Sequence, residues 1–202
     1  ALLAAGRDDV AAESLTHPVH AYPARLHPAT AGRLVEILMD GAPRGAAVLD
    51  PFCGSGTVLV EARAAGWRAF GVDLNPLAVR LARVKTWTAP VPRRKRAREL
   101  GRQIAGDVML AGREARRAGA APTPVRSPEG FDPNARQRRI GKWFAPHVRR
   151  ELESIAGAID EVAQDDPEIA EVLAMALSGI LYKVSHRRSD TDPSWVERAG
   201  AR

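Results

Sequence analysis

The chain has 202 residues, 45% of them hydrophobic and 27% charged, the balance of a soluble globular protein large enough to bury a core. Its single cysteine, Cys53, excludes an internal disulfide framework and a Cys-x-x-Cys metal site, and no apolar run approaches the ~20 residues of a membrane span. The formal net charge of +6 favours a polyanionic partner, most commonly nucleic acid, although Arg- and Ala-rich chains are also basic without one.

The first 16 residues read as helical or frayed, and HPVHAYPARLHPAT (17–30) follows as an extended or turning stretch, because residues before proline avoid the helical region. From Pro28 the pattern is helical, with Ala31, Leu34, Val35 and Leu38 on one face, until Gly41, Pro43 and Gly45 end it. Ala46 to Leu49 is a short apolar run expected as a buried strand. A glycine-rich turn follows within VLDPFCGSGT (48–57), then a helix over 58–65 stopped by Gly66, a second strand over 68–72, and a helix over 77–86 opened by Pro76. Strand, helix, strand, helix with short connections predicts a parallel α/β sheet. After Trp87 the chain turns basic. Residues 90–102 form a proline-flanked basic run, 118–135 are rich in Pro, Gly and Ala, and 136–144 are basic again, ending in Trp143 and Phe144. Helical spacing returns over 146–162 and 167–185, the second stretch with a broad apolar face.

The glycine turn lies between a strand ending in Asp50 and a helix. Such a turn surrounds a ligand with backbone N–H groups, and glycine allows close approach because it lacks a Cβ. The spacing meets neither the dinucleotide nor the P-loop fingerprint. An acid just past the second strand, Asp73, is placed to accept hydrogen bonds from two ribose hydroxyls. A nucleoside without a phosphate-binding lysine is the expected ligand.

DPFCGSGT with GVDLNP (71–76) resembles the first two motifs of S-adenosylmethionine-dependent methyltransferases that modify amino groups of nucleic-acid bases. HAYPARLHP resembles the element those enzymes place ahead of them, with Arg25 where lysine is common. ILYKVSHRRSDT (180–191) resembles a helix end of one bacterial DNA methyltransferase group. The likeness is close over 17–88 and loose over 143–191. It implies S-adenosylmethionine as cofactor and a Rossmann-like methyltransferase fold, a parallel sheet flanked by helices, with an appended helical region. Asp50, Phe52, Cys53, Gly54, Ser55, Gly56 and Thr57 would wrap the methionine end. Asp73 would hold the ribose, Leu74 and Asn75 would lie near the adenine, and Tyr22 and Arg25 would close the methionine side.

The catalytic motif of the resembled enzymes, Asp/Asn/Ser-Pro-Pro-aromatic, which engages the target amine and stacks on the flipped base, does not occur in the sequence. The nearest string, Asp192-Pro193-Ser194-Trp195, lacks the second proline and reads as linker. No catalytic residue is therefore assigned. The expectation is an incomplete methyltransferase: a cofactor-binding portion over 1–88, a basic, loop-rich connection over 89–145, and a helical segment with tail over 146–202, cytoplasmic and inactive alone. DNA is the favoured substrate, at adenine N6 or cytosine N4, with the catalytic motif in a missing half or a partner chain. The alternatives are an RNA enzyme acting on a guanine amino group and a non-catalytic cofactor- or partner-binding module.

Cys53 invites a nucleophile reading, but inside the turn it would face the methionine end rather than a base, so it is expected as a small turn residue. His17, His20 and His27 are close in sequence, yet on a proline-interrupted segment without Cys or an acidic cluster they are not expected to bind metal. The basic runs 93–98 and 136–142 read either as a phosphate-tracking surface or as solvated charge.

Overall fold

Proline sits in the first turn of five helices, at Pro28, Pro76, Pro92, Pro146 and Pro167. There its missing N–H is not needed and its fixed φ already suits a helix. A computed structural model describes residues 9–20, 22–23, 25–119 and 143–186, which fall into two units divided between Ala89 and Pro90.

The first unit begins with a single helical turn, α1 (Asp9–Ala12), and a 3-10 turn at His17–Val19. Helix α2 (Pro28–Met39) leads to strand β1 (Ala47–Asp50), helix α3 (Thr57–Ala64), strand β2 (Arg68–Gly71) and helix α4 (Pro76–Lys85). The strands pair in parallel, from Ala47 opposite Arg68 to Asp50 opposite Gly71. Two further bonds carry the pairing past the strands, Val72 N–H to Asp50 C=O and Cys53 N–H to Val72 C=O, each 3.0 Å. The order is the expected one and the boundaries agree within about a residue.

Alternation splits the sheet. Val48 and Ala69 are half-buried, and Ala69 packs on a cluster of Cys53, Leu59 and Ala82. Leu49 and Phe70, paired in register on the opposite face, stay 64% and 51% exposed. The core lies between the sheet and the helices, from Ala31 and Val35 of α2, Leu59, Val60 and Ala62 of α3, and Ala78, Leu81 and Ala82 of α4. Among the described residues the sheet has two strands and is mixed with helices, an α/β arrangement.

The described residues of the second unit form three helices, α5 (Val91–Arg117), α6 (Pro146–Asp165) and α7 (Pro167–Val184). Here the structure departs from the loop-rich connection expected over 89–145, because residues 91–117 form one 27-residue helix. The prolines that suggested interruption lie at its N-cap and first turn. Beyond them Ala, Arg, Leu and Glu are strong helix formers. Arg93, Ala97, Leu100, Gly101, Ile104 and Val108 supply a less exposed stripe at helical spacing. Gly101 lets α7 come close, since a Cβ there would lie 3.1 Å from Leu173 Cδ2. Arg93 donates to Asp166 and Glu168 at 2.8 Å each, while Asp166 caps α7 by accepting from Ile169 N–H. The second basic run and the Asp192-Pro193-Ser194-Trp195 string lie outside the described residues. Among those described, no helix is long and apolar enough to cross a membrane.

Candidate functional site

The site grows from the end of β1. Asp50 Oδ1 accepts from Phe52 N–H at 3.1 Å and starts the turn. Gly54 and Gly56 then adopt positive φ, 50° and 81°, which L-residues with side chains rarely take. Gly56 is also constrained by contact, because a Cβ there would lie 2.9 Å from Ala82 Cβ and 3.0 Å from its Cα. The turn thus rests directly on α4. Gly56 is the N-cap of α3 and no side chain caps that helix, so its first-turn N–H groups and the positive end of its dipole face the turn.

Cys53 is buried, and it explains Gly71: a Cβ at Gly71 would lie 2.8 Å from Cys53 Cβ, 2.9 Å from Sγ and 2.5 Å from Leu59 Cδ1. Burial first, then the carboxylates of Asp50 and Asp73, push the thiol pKa up. A nucleophilic cysteine needs the opposite shift, so Cys53 acts as a small turn residue.

Asp73 ties the two loops together. One carboxylate oxygen accepts from Gly54 N–H and the other from Asn75 N–H, both at 2.8 Å. Each oxygen keeps a second lone pair for a ligand. Asn75 caps α4 by accepting from Leu77 N–H at 3.0 Å, and its amide donates to the Tyr22 hydroxyl at 3.1 Å. Arg25 donates to the His17 carbonyl at 3.1 Å. The Tyr22 bond fastens the segment ahead of α2 to the β2–α4 loop, and the Arg25 bond closes that segment on itself.

The glycine turn, Tyr22 and Arg25 border a cleft of about 420 Å³, walled on one side by Leu34, Val35 and Leu38 of α2. Of the twelve cofactor-binding residues expected from the sequence, eight line it: Tyr22, Arg25, and Asp50, Phe52, Cys53, Gly54, Ser55 and Thr57 of the β1–α3 connection. Gly56, Asp73, Leu74 and Asn75 do not. Gly56 and Asp73 support the turn, Asn75 caps α4, and Leu74 is 99% exposed.

Sequence reasoning missed a set of buried polar groups behind the turn. His17 Nε2 lies 2.6 Å from Glu61 Oε1, and both ring and carboxylate are largely shielded. Lys85, 3% exposed, donates to Ser55 Oγ at 3.2 Å. Desolvation first, then the nearby Arg25 charge, lower the Lys85 pKa to about 8. A signal was present: Ala78, Leu81, Ala82 and Lys85 follow the i, i+3, i+4, i+7 spacing of one buried face, so the lysine sits on an apolar stripe. Among the described residues no cluster of three or more metal-ligating side chains forms.

Residues 8–84 match the family model for DNA methylases. The Type II methyltransferase M.MvaI of Kocuria varians is 30% identical over 187 residues, covering 88% of this chain and 36% of that protein. The chain therefore spans about a third of the length of the curated relative it matches. No solved structure matches the chain. It is thus residues 8–84, which hold the glycine turn, Asp73 and the Tyr22–Arg25 segment, that match the N6/N4 DNA methylase family.

Proposed function

We propose that the first unit is the S-adenosylmethionine-binding portion of a Rossmann-like DNA methyltransferase that modifies adenine N6 or cytosine N4. The observation that carries this reading is Asp73, hydrogen-bonded to Gly54 N–H of the glycine turn beside a cleft of nucleoside size. The residues fit the cofactor. Two positive-φ glycines leave backbone open to close approach, an uncapped helix N-terminus points at the turn, and Asp73 retains lone pairs for ribose hydroxyls. The cofactor would supply an activated methyl group on a sulfonium centre. The turn, Tyr22 and Arg25 would fix its methionine end. Catalysis would then rest on positioning the target amine in line with that methyl group.

The motif that engages the amine is absent from the 202 residues, so the chain is expected to bind cofactor and to transfer no methyl group by itself. DNA as substrate follows the description of the matched family, and a place in restriction–modification and action in the cytoplasm are part of this proposal. The same description favours DNA over the RNA alternative. The exposed sheet face around Leu49 and Phe70 favours completion by further polypeptide, carrying the missing motif.

Calorimetry of S-adenosylmethionine with the 202-residue chain tests the reading. Micromolar binding is expected, weakened roughly 10- to 100-fold by Asp73→Ala, the scale of hydrogen bonds to a charged group. No binding by a folded wild-type chain would overturn it. Robust methylation of DNA by this chain alone would overturn the assignment of catalysis to other residues.

A further inference from the structure

Lys85 is only 3% exposed, yet its ammonium makes one hydrogen bond, to Ser55 Oγ, and no acid pairs with it among the described residues. A lysine has three donors and no acceptor. Ser55, itself 2% exposed, must therefore use its oxygen to accept from Lys85, which leaves its hydroxyl proton to be donated elsewhere. No described residue accepts that proton. Ser55 lines the cleft, and so does Arg25, whose charge is close enough to depress the Lys85 pKa. Arg25 and Ser55 thus share the cleft, with Lys85 bonded to Ser55 outside its lining.

The acids nearby are already engaged. Glu61 is paired with His17, Asp50 accepts from Phe52 N–H, and Asp73 accepts from Gly54 and Asn75 N–H. The segment over this end of α4 adds neutral ties, Thr16 Oγ1 to the Lys85 carbonyl at 2.8 Å and Arg25 to the His17 carbonyl. What is missing among the described residues is an acceptor for the Ser55 hydroxyl proton.

We propose that Lys85 is a positioning residue: by donating to Ser55 Oγ it fixes the Ser55 hydroxyl as a donor to the carboxylate of the bound ligand, beside Arg25. Given the reading of the site proposed above, on which this inference rests, the carboxylate is that of the cofactor's amino-acid end. Lys85 touches neither ligand nor reacting atoms and acts only through Ser55. Once Lys85 loses its proton, its nitrogen can accept from Ser55 instead, and the donor to the ligand is lost.

The test compares two ligands by calorimetry: S-adenosylmethionine, and 5′-methylthioadenosine, which keeps the nucleoside and the sulfur but has no carboxylate. Ser55→Ala and Lys85→Met are each expected to weaken S-adenosylmethionine by about tenfold and methylthioadenosine by less than about twofold, as fits loss of one charge-assisted hydrogen bond. Ser55→Ala is a small change that keeps the result interpretable should Lys85→Met misfold. A second readout is the wild-type to Ser55→Ala affinity ratio for S-adenosylmethionine against pH, which cancels titration of the ligand's own α-amino group. It should fall toward one as pH rises through about 8. Equal weakening of both ligands, no weakening of either, or a ratio flat with pH would overturn the role of Lys85 while leaving the cofactor site standing. A wild-type chain that binds methylthioadenosine but not S-adenosylmethionine would do the same. A folded chain that binds neither would overturn the site and this inference together.

Discussion

At single residues, the first unit holds features that oppose stability and favour a ligand. Lys85 is the clearest. An unpaired buried cation is costly, so Lys85→Met is expected to stabilise the fold at pH 7 by on the order of 1 kcal/mol, although it weakens cofactor binding. The pH dependence has a definite sign. The unfolded lysine keeps its proton to about pH 10.5, whereas the folded one loses it near 8. Between those values the unfolded chain binds more protons, so raising pH stabilises the wild-type fold. The cost is fully present below about pH 8, is relieved by about 10.5, and the advantage of the variant shrinks across that window. Thermal melts at about pH 7 and pH 10 measure it, and a lower melting temperature for Lys85→Met at pH 7 would mark the lysine as an ordinary structural residue. Gly71 makes the opposite case. Gly71→Ala drives a methyl into Leu59 and Cys53, with an expected loss of about 1–3 kcal/mol by overpacking in denaturant melts. Cys53→Ala on that background should recover only part, because it removes the sulfur and leaves the Cys53 Cβ and Leu59 contacts. The positive-φ glycines were legible in the sequence because their chemistry is local, whereas the tie from Asp73 to Gly54 spans nineteen residues. The pairing of Lys85 with Ser55, thirty residues away, was not legible, although a lysine on an apolar stripe was the available hint.

Among elements, legibility followed how strongly each pattern was bounded. The two strands and the helices around the glycine turn were readable because Gly and Pro mark their ends. Helix α5 was not, because its start carries two prolines and six basic residues, which read as a solvated connection. Helix propensity and an otherwise ordinary amphipathic spacing outweighed both. Folding into a helix changes what the charges can do. Arg94, Arg98 and Arg102 fall four residues apart on one exposed face, a row about 12 Å long at 1.5 Å per residue. Arg93 is committed to Asp166 and Glu168, and Lys95 lies 3.8 Å from Glu99, but the row has no ion pair among the described residues. A row of this kind suits a nucleic-acid backbone. Replacing all three by Gln should reduce the slope of log K for DNA against log salt by up to ~2.7, at ~0.9 for each phosphate that is no longer neutralised. S-adenosylmethionine affinity should stay unchanged. Titrations between about 50 and 200 mM salt would show it, a range over which neutralising 6–10 phosphates changes affinity by about 10³–10⁵. An unaltered slope would remove α5 from the DNA interface.

For the whole molecule, the sheet decides what the chain needs from outside. One face of β1 and β2 is packed on helices and the other is open, with Leu49 and Phe70 side by side in register and Val72 just beyond them. Around the turn, Phe52 is 85% exposed and Leu74 99% exposed. Each strand also keeps one edge unpaired among the described residues. Contiguous exposed apolar surface and open strand edges favour association with further polypeptide. The 202-residue chain alone is therefore expected to self-associate as its concentration rises through the micromolar range, seen by sedimentation velocity. Leu49→Thr with Phe70→Lys should return it to monomer. Both side chains are more than half exposed, so the pair should change folding stability by no more than about 0.5 kcal/mol per site. A wild-type chain that stays monomeric throughout would mean that the open face is tolerated in water, and would remove the sheet as the surface through which further polypeptide completes the site.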